Sequence, residues 1–410
     1  MLTLAGRPPG EAVHTVPEIL ELVSHYKELN FRPGDEFLYN NTAFTLLGVI
    51  VERVSGKSLK AFSQERLFGP LGMTRTQWRD DFTAVVPNRA TAYRLMPDGT
   101  FRANMPFTNV IGNGGLLTTV GDLLTWNDNF DRPRVGGQDL ADRLQTRGRL
   151  NDGSATEYAQ GLYVTEYRGV REVSHGGRTA GYLTFLARFR DQGLSVAVLC
   201  NTSGTDPSRY AHQIADLMLA GALKDWPVVR RADVPPGALE RMAGVYRETA
   251  TDAVLRLAWD PKTQVLRADG QPLVPTGDGE MYTRDGSRRF LMERGWPETV
   301  VLGPLVETSE RGRPRRWELQ RPFRPDAAQL RDFAGDYASD ELGVTYTFYV
   351  EGDSLKLRFR PAQRFTLQPV FKDAFEADGN TYRFTRSADG AVDGLRIYAG
   401  PARHVRFARR

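Results

Sequence analysis

The side chains best able to exchange protons or to hydrogen-bond a bound molecule fall in two short motifs, 136 residues apart. The first is Tyr39-Asn40-Asn41, and the second is His175-Gly176-Gly177. Taken alone, each residue has an ordinary structural explanation. A tyrosine before a helix often packs in a core, Asn41 is a good helix N-cap, and a single histidine is often a satisfied structural residue. The other histidines, at positions 14, 25, 212 and 404, show no metal-ligand spacing, so we expect no metal and no other cofactor.

The elements that would position the first motif are helices. Residues 15–30 predict an amphipathic helix that begins with a capping box, because apolar residues recur on one face. A second helix is predicted to begin at Asn41 or Thr42, both good N-caps, and to end at Gly56. A third is predicted over 119–130. Tyr39 would then lie immediately before the second helix.

The elements that would position the second motif are strands. Three runs of strand-forming residues cover 161–167, 184–190 and 194–201, and a helix is predicted over 207–219. A stretch rich in proline follows at 226–237 and predicts a linker. We therefore expect a first domain over 1–225 that combines helices with an antiparallel sheet.

The remainder of the chain repeats itself. Residues 239–246 match residues 330–337 at an offset of 91 residues, and short alternating strands follow each copy. A period of this length with several strands per copy predicts two tandem antiparallel β-barrels or sandwiches. We place the two modules at 238–323 and 326–410.

Six motifs occur in one order that is typical of a known family. They are Phe31-x-Pro33-Gly34, Tyr39-Asn40-Asn41, Val54-Ser55-Gly56, Pro70-Leu71-Gly72-Met73-x-x-Thr76, Gly114-Gly115-Leu116-x-Thr118-Thr119-x-x-Asp122 and His175-Gly176-Gly177-x-x-x-Gly181. Over about residues 1–220 the chain resembles the class C β-lactamase-like, penicillin-binding-protein-like serine hydrolases of the peptidase S12 type. The resemblance implies an α+β fold: a truncated β-lactamase/transpeptidase-like domain, followed by two β-barrel modules. This layout is similar to that of D-stereospecific aminopeptidases.

The resemblance also implies roles for the two motifs. Tyr39 matches a tyrosine that acts as a base when a neighbouring cation lowers its pKa from about 10. Asn41 matches an asparagine that hydrogen-bonds the acyl-side amide of the substrate. His175 takes the place of the lysine in a Lys-Thr-Gly motif, on the strand that edges the site. Gly176 and Gly177 would then let the substrate approach the backbone, and the N–H of Arg178 would donate to the developing oxyanion.

These roles imply a hydrolase that acts on a small amide, peptide or ester. Histidine in place of lysine weakens the case for a penicillin carboxylate as the favoured ligand. We therefore expect a peptidase or an esterase rather than an efficient β-lactamase.

The nucleophile of the family, a serine in a Ser-x-x-Lys motif, has one literal match, Ser24-His25-Tyr26-Lys27. Ser24 would lie roughly 140° around the helix from Ile19, on the solvent side, and only fifteen residues before Tyr39. We expect Ser24 and Lys27 to be bystanders.

With this match set aside, the chain is expected to begin inside the catalytic domain, and the 410-residue form to be inactive or to aggregate. The alternative is a non-catalytic binding protein or relic that keeps the cleft. An in-frame Ser-x-x-Lys encoded upstream would favour the first explanation, and a stop codon the second.

Composition excludes several other classes of protein. A net charge of +4 over 410 residues, with no block of like charges, argues against a nucleic-acid partner. No apolar run is long enough to span a bilayer, and Cys200 is the only cysteine, which excludes an internal disulfide. The first residues show no export signal, so a periplasmic or extracellular location would require a longer form. The expected partner is a small-molecule or peptide substrate; the sequence does not indicate an oligomeric state.

Overall fold

The computed structural model describes residues 1–225, 231–235, 237–277, 279–283, 286–293, 295–296, 304–309, 314–360 and 363–410. By compactness the chain divides into two units. We call residues 7–24 and 39–226 the sheet unit, and residues 1–6, 25–38 and 227–410 the barrel unit. The predicted linker over 226–237 lies partly outside the described residues, and the predicted domain limits stay predictions.

The described helices of the sheet unit are mostly short. They are α1 Val16–Ser24, α2 Asn41–Ser55, α3 Leu59–Ser63, α4 Gly69–Leu71, α5 Val120–Asp131, α6 Gly137–Leu144 and α7 Pro207–Met218. A π-helical turn, Gln64–Phe68, joins α3 to α4. Thr119 caps α5, because its hydroxyl accepts the N–H of Asp122.

The strands of the sheet unit form one larger sheet and two small pairs. The bounds are β1 Gln77–Trp78, β2 Tyr93–Leu95, β3 Phe101–Ala103, β4 Leu116–Leu117, β5 Tyr163–Tyr167, β6 Val170–Thr179, β7 Tyr182–Phe189 and β8 Leu194–Cys200. β1 pairs with β4, β2 pairs with β3, and β5 to β8 form an antiparallel sheet in chain order. The core of this sheet joins Phe185, Phe189 and Val196 to Ala211 and Ala215 of α7.

The first helix is shorter than the predicted helix over 15–30. It begins as expected, since the Glu18 carboxylate accepts the N–H of Thr15 at 2.8 Å. It ends at Ser24 because the chain then enters the barrel unit. There the Asn30 side chain donates to the Pro401 carbonyl at 2.7 Å. Tertiary contacts therefore override the helical periodicity beyond residue 24.

The C-terminal half contains two closed antiparallel barrels of eight strands each, so the predicted alternative of sandwiches is excluded. The strands of the first barrel are β9 Gly244–Glu248, β10 Val254–Asp260, β11 Val265–Ala268, β12 Gln271–Gly277, β13 Glu280–Thr283, β14 Arg288–Met292, β15 Leu305–Ser309 and β16 Arg315–Leu319. Those of the second are β17 Gly335–Ser339, β18 Val344–Glu351, β19 Ser354–Arg360, β20 Gln363–Phe371, β21 Ala374–Ala377, β22 Asn380–Arg386, β23 Val392–Ala399 and β24 Ala402–Arg409.

The sequence repeat corresponds to the same arrangement at the start of both barrels. A short helix precedes each barrel, α8 Ala238–Arg241 and α9 Ala327–Arg331. The hydroxyl of Tyr246 donates to the Met242 carbonyl at 2.9 Å, and that of Tyr337 donates to the Phe333 carbonyl at 3.0 Å. Both tyrosines are fully buried. The repeat thus marks the point where each barrel's first strand is bound to the turn before it.

The helices α2 and α7 of the sheet unit carry several exposed apolar residues. Val54 of α2 and Leu217 of α7 are 82% and 81% exposed, and Leu47, Ile50, Ile214 and Met218 are exposed as well. Exposed apolar faces of this kind promote aggregation. This is the physical reason for expecting the 410-residue protein to aggregate. Among the described residues, no helix is long and apolar enough to cross a membrane.

Candidate active site

Tyr39 and the start of α2 are positioned by a cap that differs from the predicted one by one residue. The Asn40 side chain, rather than that of Asn41 or Thr42, accepts the N–H of Ala43, at 3.1 Å. Asn41 is therefore the first residue of α2 and is exposed. Its carboxamide is not used as a cap, which removes the structural explanation for this residue.

His175 lies in β6, the strand that contains the second motif. Its Nδ1 is 2.6 Å from the Gly176 carbonyl oxygen, which can only accept a hydrogen bond. In the neutral ring Nδ1 then carries the proton, and Nε2 is an acceptor. The Tyr158 hydroxyl lies 3.2 Å from Nε2 and is therefore the donor of that second bond.

The two predicted motifs meet in one aromatic cluster. The rings of Tyr39 and His175 have centroids 5.9 Å apart. Tyr158 contacts both rings, at 5.7 Å from Tyr39 and 5.9 Å from His175. Tyr163 of β5 closes the cluster, 5.7 Å from His175 and 4.8 Å from Tyr158. Tyr158 and Tyr163 were not among the predicted site residues.

The electrostatics of the cluster favour the neutral phenol. Burial raises the pKa of Tyr39, and no described cation lowers it. The pKa of Tyr158 is raised by burial first and then by the neighbouring phenols of Tyr39 and Tyr163. Within the described part of the chain the Tyr39 hydroxyl makes no hydrogen bond, so this hydroxyl is available to a ligand. A cation beside Tyr39 would be needed for the phenol to act as a base near neutral pH.

The backbone after His175 is open to solvent. Gly176, Gly177 and Arg178 are all exposed, although they pair with β7. A Cβ on Gly177 would lie 2.4 Å from the Thr184 hydroxyl oxygen across the pair, whereas one on Gly176 would have no neighbour closer than 3.6 Å. The glycine at 177 therefore accommodates Thr184 as well as leaving the strand edge open to a ligand.

Other residues of the six motifs have structural roles. A Cβ on Gly181 would meet the backbone of Tyr93 at 2.5 Å, so this glycine permits a close approach of two chain segments. The Asp122 carboxylate accepts the Thr76 hydroxyl at 2.7 Å, and the Thr76 and Thr118 hydroxyl oxygens are 2.7 Å apart. These bonds join α5 to the segment after α4 and do not involve the aromatic cluster.

The literal nucleophile match, Ser24 and Lys27, lies at the end of α1 and just beyond it. The Ser24 hydroxyl is exposed, and it donates to the Glu21 carbonyl at 2.7 Å, within α1. Lys27 is exposed and lies beyond the end of α1, so the two side chains do not share a helix turn. That both are bystanders stays a prediction. Among the described residues there is also no group of three or more potential metal ligands.

The chain is similar in sequence to one protein family and to several characterised or solved proteins. A model of the Beta-lactamase family matches residues 5–220. A D-aminopeptidase from Cereibacter sphaeroides is 26% identical over 416 residues, which cover 96% of this chain and 75% of that protein. A D-aminopeptidase from Brucella anthropi is 25% identical over 436 residues, covering 100% and 77%. Among solved structures, the octameric penicillin-binding protein homologue from Pyrococcus abyssi is similar, with a TM-score of 0.46 and 21% identity over 85% of this chain and 69% of that one.

Proposed function

Because the chain belongs to the Beta-lactamase family, we propose that it carries the tyrosine, asparagine and histidine side of a serine-hydrolase site for small amides or peptides. The observation that carries the proposal is the pairing of Tyr39 with His175, whose ring centroids are 5.9 Å apart beside the exposed backbone at 176–178. The D-aminopeptidase relatives point to substrates with an N-terminal D-residue.

Each residue has one task in this proposal. In the complete site, a serine that is not among these residues would form a bond from its oxygen to the amide carbon while its proton passes to the phenolate of Tyr39. The same proton would then pass to the amine nitrogen as the C–N bond breaks. Water cleaves the resulting ester by the reverse proton route. The Asn41 carboxamide orients the amide of the substrate, and the N–H of Arg178 stabilises the oxyanion. His175 provides an imidazole that Tyr158 and the Gly176 carbonyl hold in one orientation.

The cation and the nucleophile are the parts that none of these residues supplies. Burial raises the pKa of Tyr39, so the phenol needs a neighbouring ammonium group before it can accept a proton at neutral pH. None of the residues assigned to the site is a serine. We therefore expect the 410-residue protein to bind the substrate class and not to turn it over.

Calorimetric titration of the 410-residue protein with D-alaninamide and L-alaninamide tests recognition. We expect saturable binding that favours the D form and weakens at least tenfold, about 1.4 kcal/mol, in His175→Ala and in Asn41→Ala. His25→Ala, which removes an exposed histidine, is the matched control and should bind like the parent. Equal binding by His175→Ala and the parent, or no saturable binding of either amide, would overturn the proposal.

A turnover assay with D-alanine p-nitroanilide, p-nitrophenyl acetate and nitrocefin tests the assignment of the nucleophile. We expect no hydrolysis above the rate in buffer. Hydrolysis that disappears in Ser24→Ala would show that Ser24 is the nucleophile and would contradict its assignment as a bystander.

A further inference from the structure

Two arginines in the sheet unit have buried N–H groups without partners. Arg79 follows β1 and is only 3% exposed. One of its terminal nitrogens, Nη2, donates to the carbonyls of Pro106 and Thr108 at 3.3 and 3.2 Å. The other, Nη1, is buried and makes no hydrogen bond. A buried donor of this kind is rare, because leaving it unpaired sacrifices its bonds to water.

Arg89 shows the same feature. Its Nε donates to the Tyr182 hydroxyl oxygen at 3.2 Å, and its guanidinium carbon lies 5.7 Å from the centre of that ring. The Tyr182 hydroxyl in turn donates to the Ala90 carbonyl, which holds the phenol in place. The Nη2 of Arg89 is buried and unpartnered. Each arginine therefore has one terminal nitrogen with unused hydrogen-bonding capacity.

The two positive charges lie in one neighbourhood. Arg79 donates to the carbonyl of Pro106, and the sulfur of the adjacent Met105 is 3.7 Å from the Tyr182 hydroxyl that binds Arg89. Burial first, and then the charge of Arg89, lower the pKa of Arg79. A guanidinium nevertheless stays protonated in proteins. In the described part of the chain neither arginine forms an ion pair. The Asp81 carboxylate, whose charge also acts on Arg79, accepts the N–H and hydroxyl of Thr83 at 2.9 and 2.7 Å.

We propose that Arg79 and Arg89 bind a small oxyanion, a phosphate or a carboxylate, with their unpartnered Nη groups. The guanidinium fork matches the oxygen spacing of both anions, and Lys at either position would lack this geometry. A bound oxyanion neutralises the buried charge and satisfies both free donors at once. Tyr182 is a positioning residue, since it fixes Arg89 without contacting the ion.

Binding would connect two parts of the sheet unit. Arg79 begins the loop between β1 and β2, and its N–H donates to the carbonyl of Gly115, just before β4, at 2.9 Å. Tyr182 begins β7 and pairs with Thr179, the last residue of the strand that carries His175. An ion held between Arg79 and the Tyr182-bound Arg89 would therefore fix this loop against the β6–β7 hairpin and raise the stability of the unit.

Thermal unfolding of the 410-residue protein at constant ionic strength tests the proposal. Potassium phosphate, potassium formate and potassium chloride are compared, so that phosphate and carboxylate ligands are distinguished. We expect the midpoint to rise saturably with phosphate or with formate, by roughly 5 °C at a hundredfold excess over the Kd, and to be unchanged in chloride. A rise with one oxyanion alone identifies the ligand class, whereas no rise with either overturns the proposal.

Variants separate the proposed site from general salt effects. Arg89→Ala should lose the saturable rise, and Arg89→Lys, which keeps the charge, should reduce the affinity at least tenfold. Arg134→Ala removes an exposed arginine and should respond like the parent. An undiminished response in Arg89→Ala overturns the proposal. If Arg89→Ala does not fold, anomalous scattering from a crystal soaked in selenate decides: a peak between the two guanidinium groups supports the site, and its absence contradicts it.

Discussion

Replacement of Tyr158 by phenylalanine isolates the hydrogen bond on which the orientation of His175 depends. The change removes one oxygen, 3.2 Å from His175 Nε2, and keeps the ring that contacts Tyr39 at 5.7 Å and Tyr163 at 4.8 Å. A neutral hydrogen bond contributes about 0.5–1.5 kcal/mol net, and water can reach the partly exposed histidine after the change. We therefore expect Tyr158→Phe to lower the free energy of unfolding by about 1 kcal/mol.

Urea denaturation measures this loss, with Tyr210→Phe as the control at an exposed tyrosine. Tyr158→Ala also removes the ring of a residue that is only 8% exposed, so it should cost about 3 kcal/mol or more. Nitrogen NMR of the imidazole provides an independent check, because the geometry requires a proton on Nδ1 in the neutral ring. A proton on Nε2, or equal stability of Tyr158→Phe and Tyr210→Phe, would refute the reasoning.

Three further changes test other contacts of the sheet unit. Gly181→Ala places a Cβ 2.5 Å from the Tyr93 backbone and should cost about 2 kcal/mol of unfolding free energy, measured in urea. The Glu172 carboxylate lies 2.7 Å from the His212 imidazole and is 5% exposed, so His212→Ala removes its partner at a buried site. We expect a loss of about 2 kcal/mol of unfolding free energy in the same urea assay, and no loss would contradict this. Because burial raises the pKa of Tyr39, the native state holds this proton more tightly than the unfolded chain does. The free energy of unfolding should therefore fall as the pH rises above about 10, and it should fall less in Tyr39→Phe than in the parent. Urea denaturation at about pH 8 and about pH 11 measures this fall, and an equal fall in both proteins would contradict the prediction.

Local patterns were sufficient for much of the fold. Helical periodicity located α2, α5 and α7, and the alternation of apolar residues located β5, β7 and β8. The alternation of apolar residues did not locate β6, because three buried residues in a row are followed, after the half-buried His175, by three exposed ones. Such a strand has no period of two, since its first half lies in the core and its second half lines an open edge.

The site was only partly predictable, because the pairing register of two strands decides which residues lie beside His175. Tyr158 forms a bridge with Tyr163, and Tyr163 is paired with Ser174, next to His175. This placement follows from the pairing of β5 with β6, and no spacing between residues 158 and 175 indicates it. The family resemblance could place Tyr39 and His175 in one site because it carries tertiary information that the residue spacing does not contain.

The contacts of Tyr39 within the sheet unit bear on the chemistry proposed for the site. One residue after Tyr39, the Asn40 side chain caps α2 and so fixes the backbone there. The Tyr39 ring packs against the rings of Tyr158 and His175, with centroids 5.7 and 5.9 Å away. A ring packed in this way has little freedom to reorient, and a proton-transfer group needs to keep one geometry through both halves of an acyl transfer.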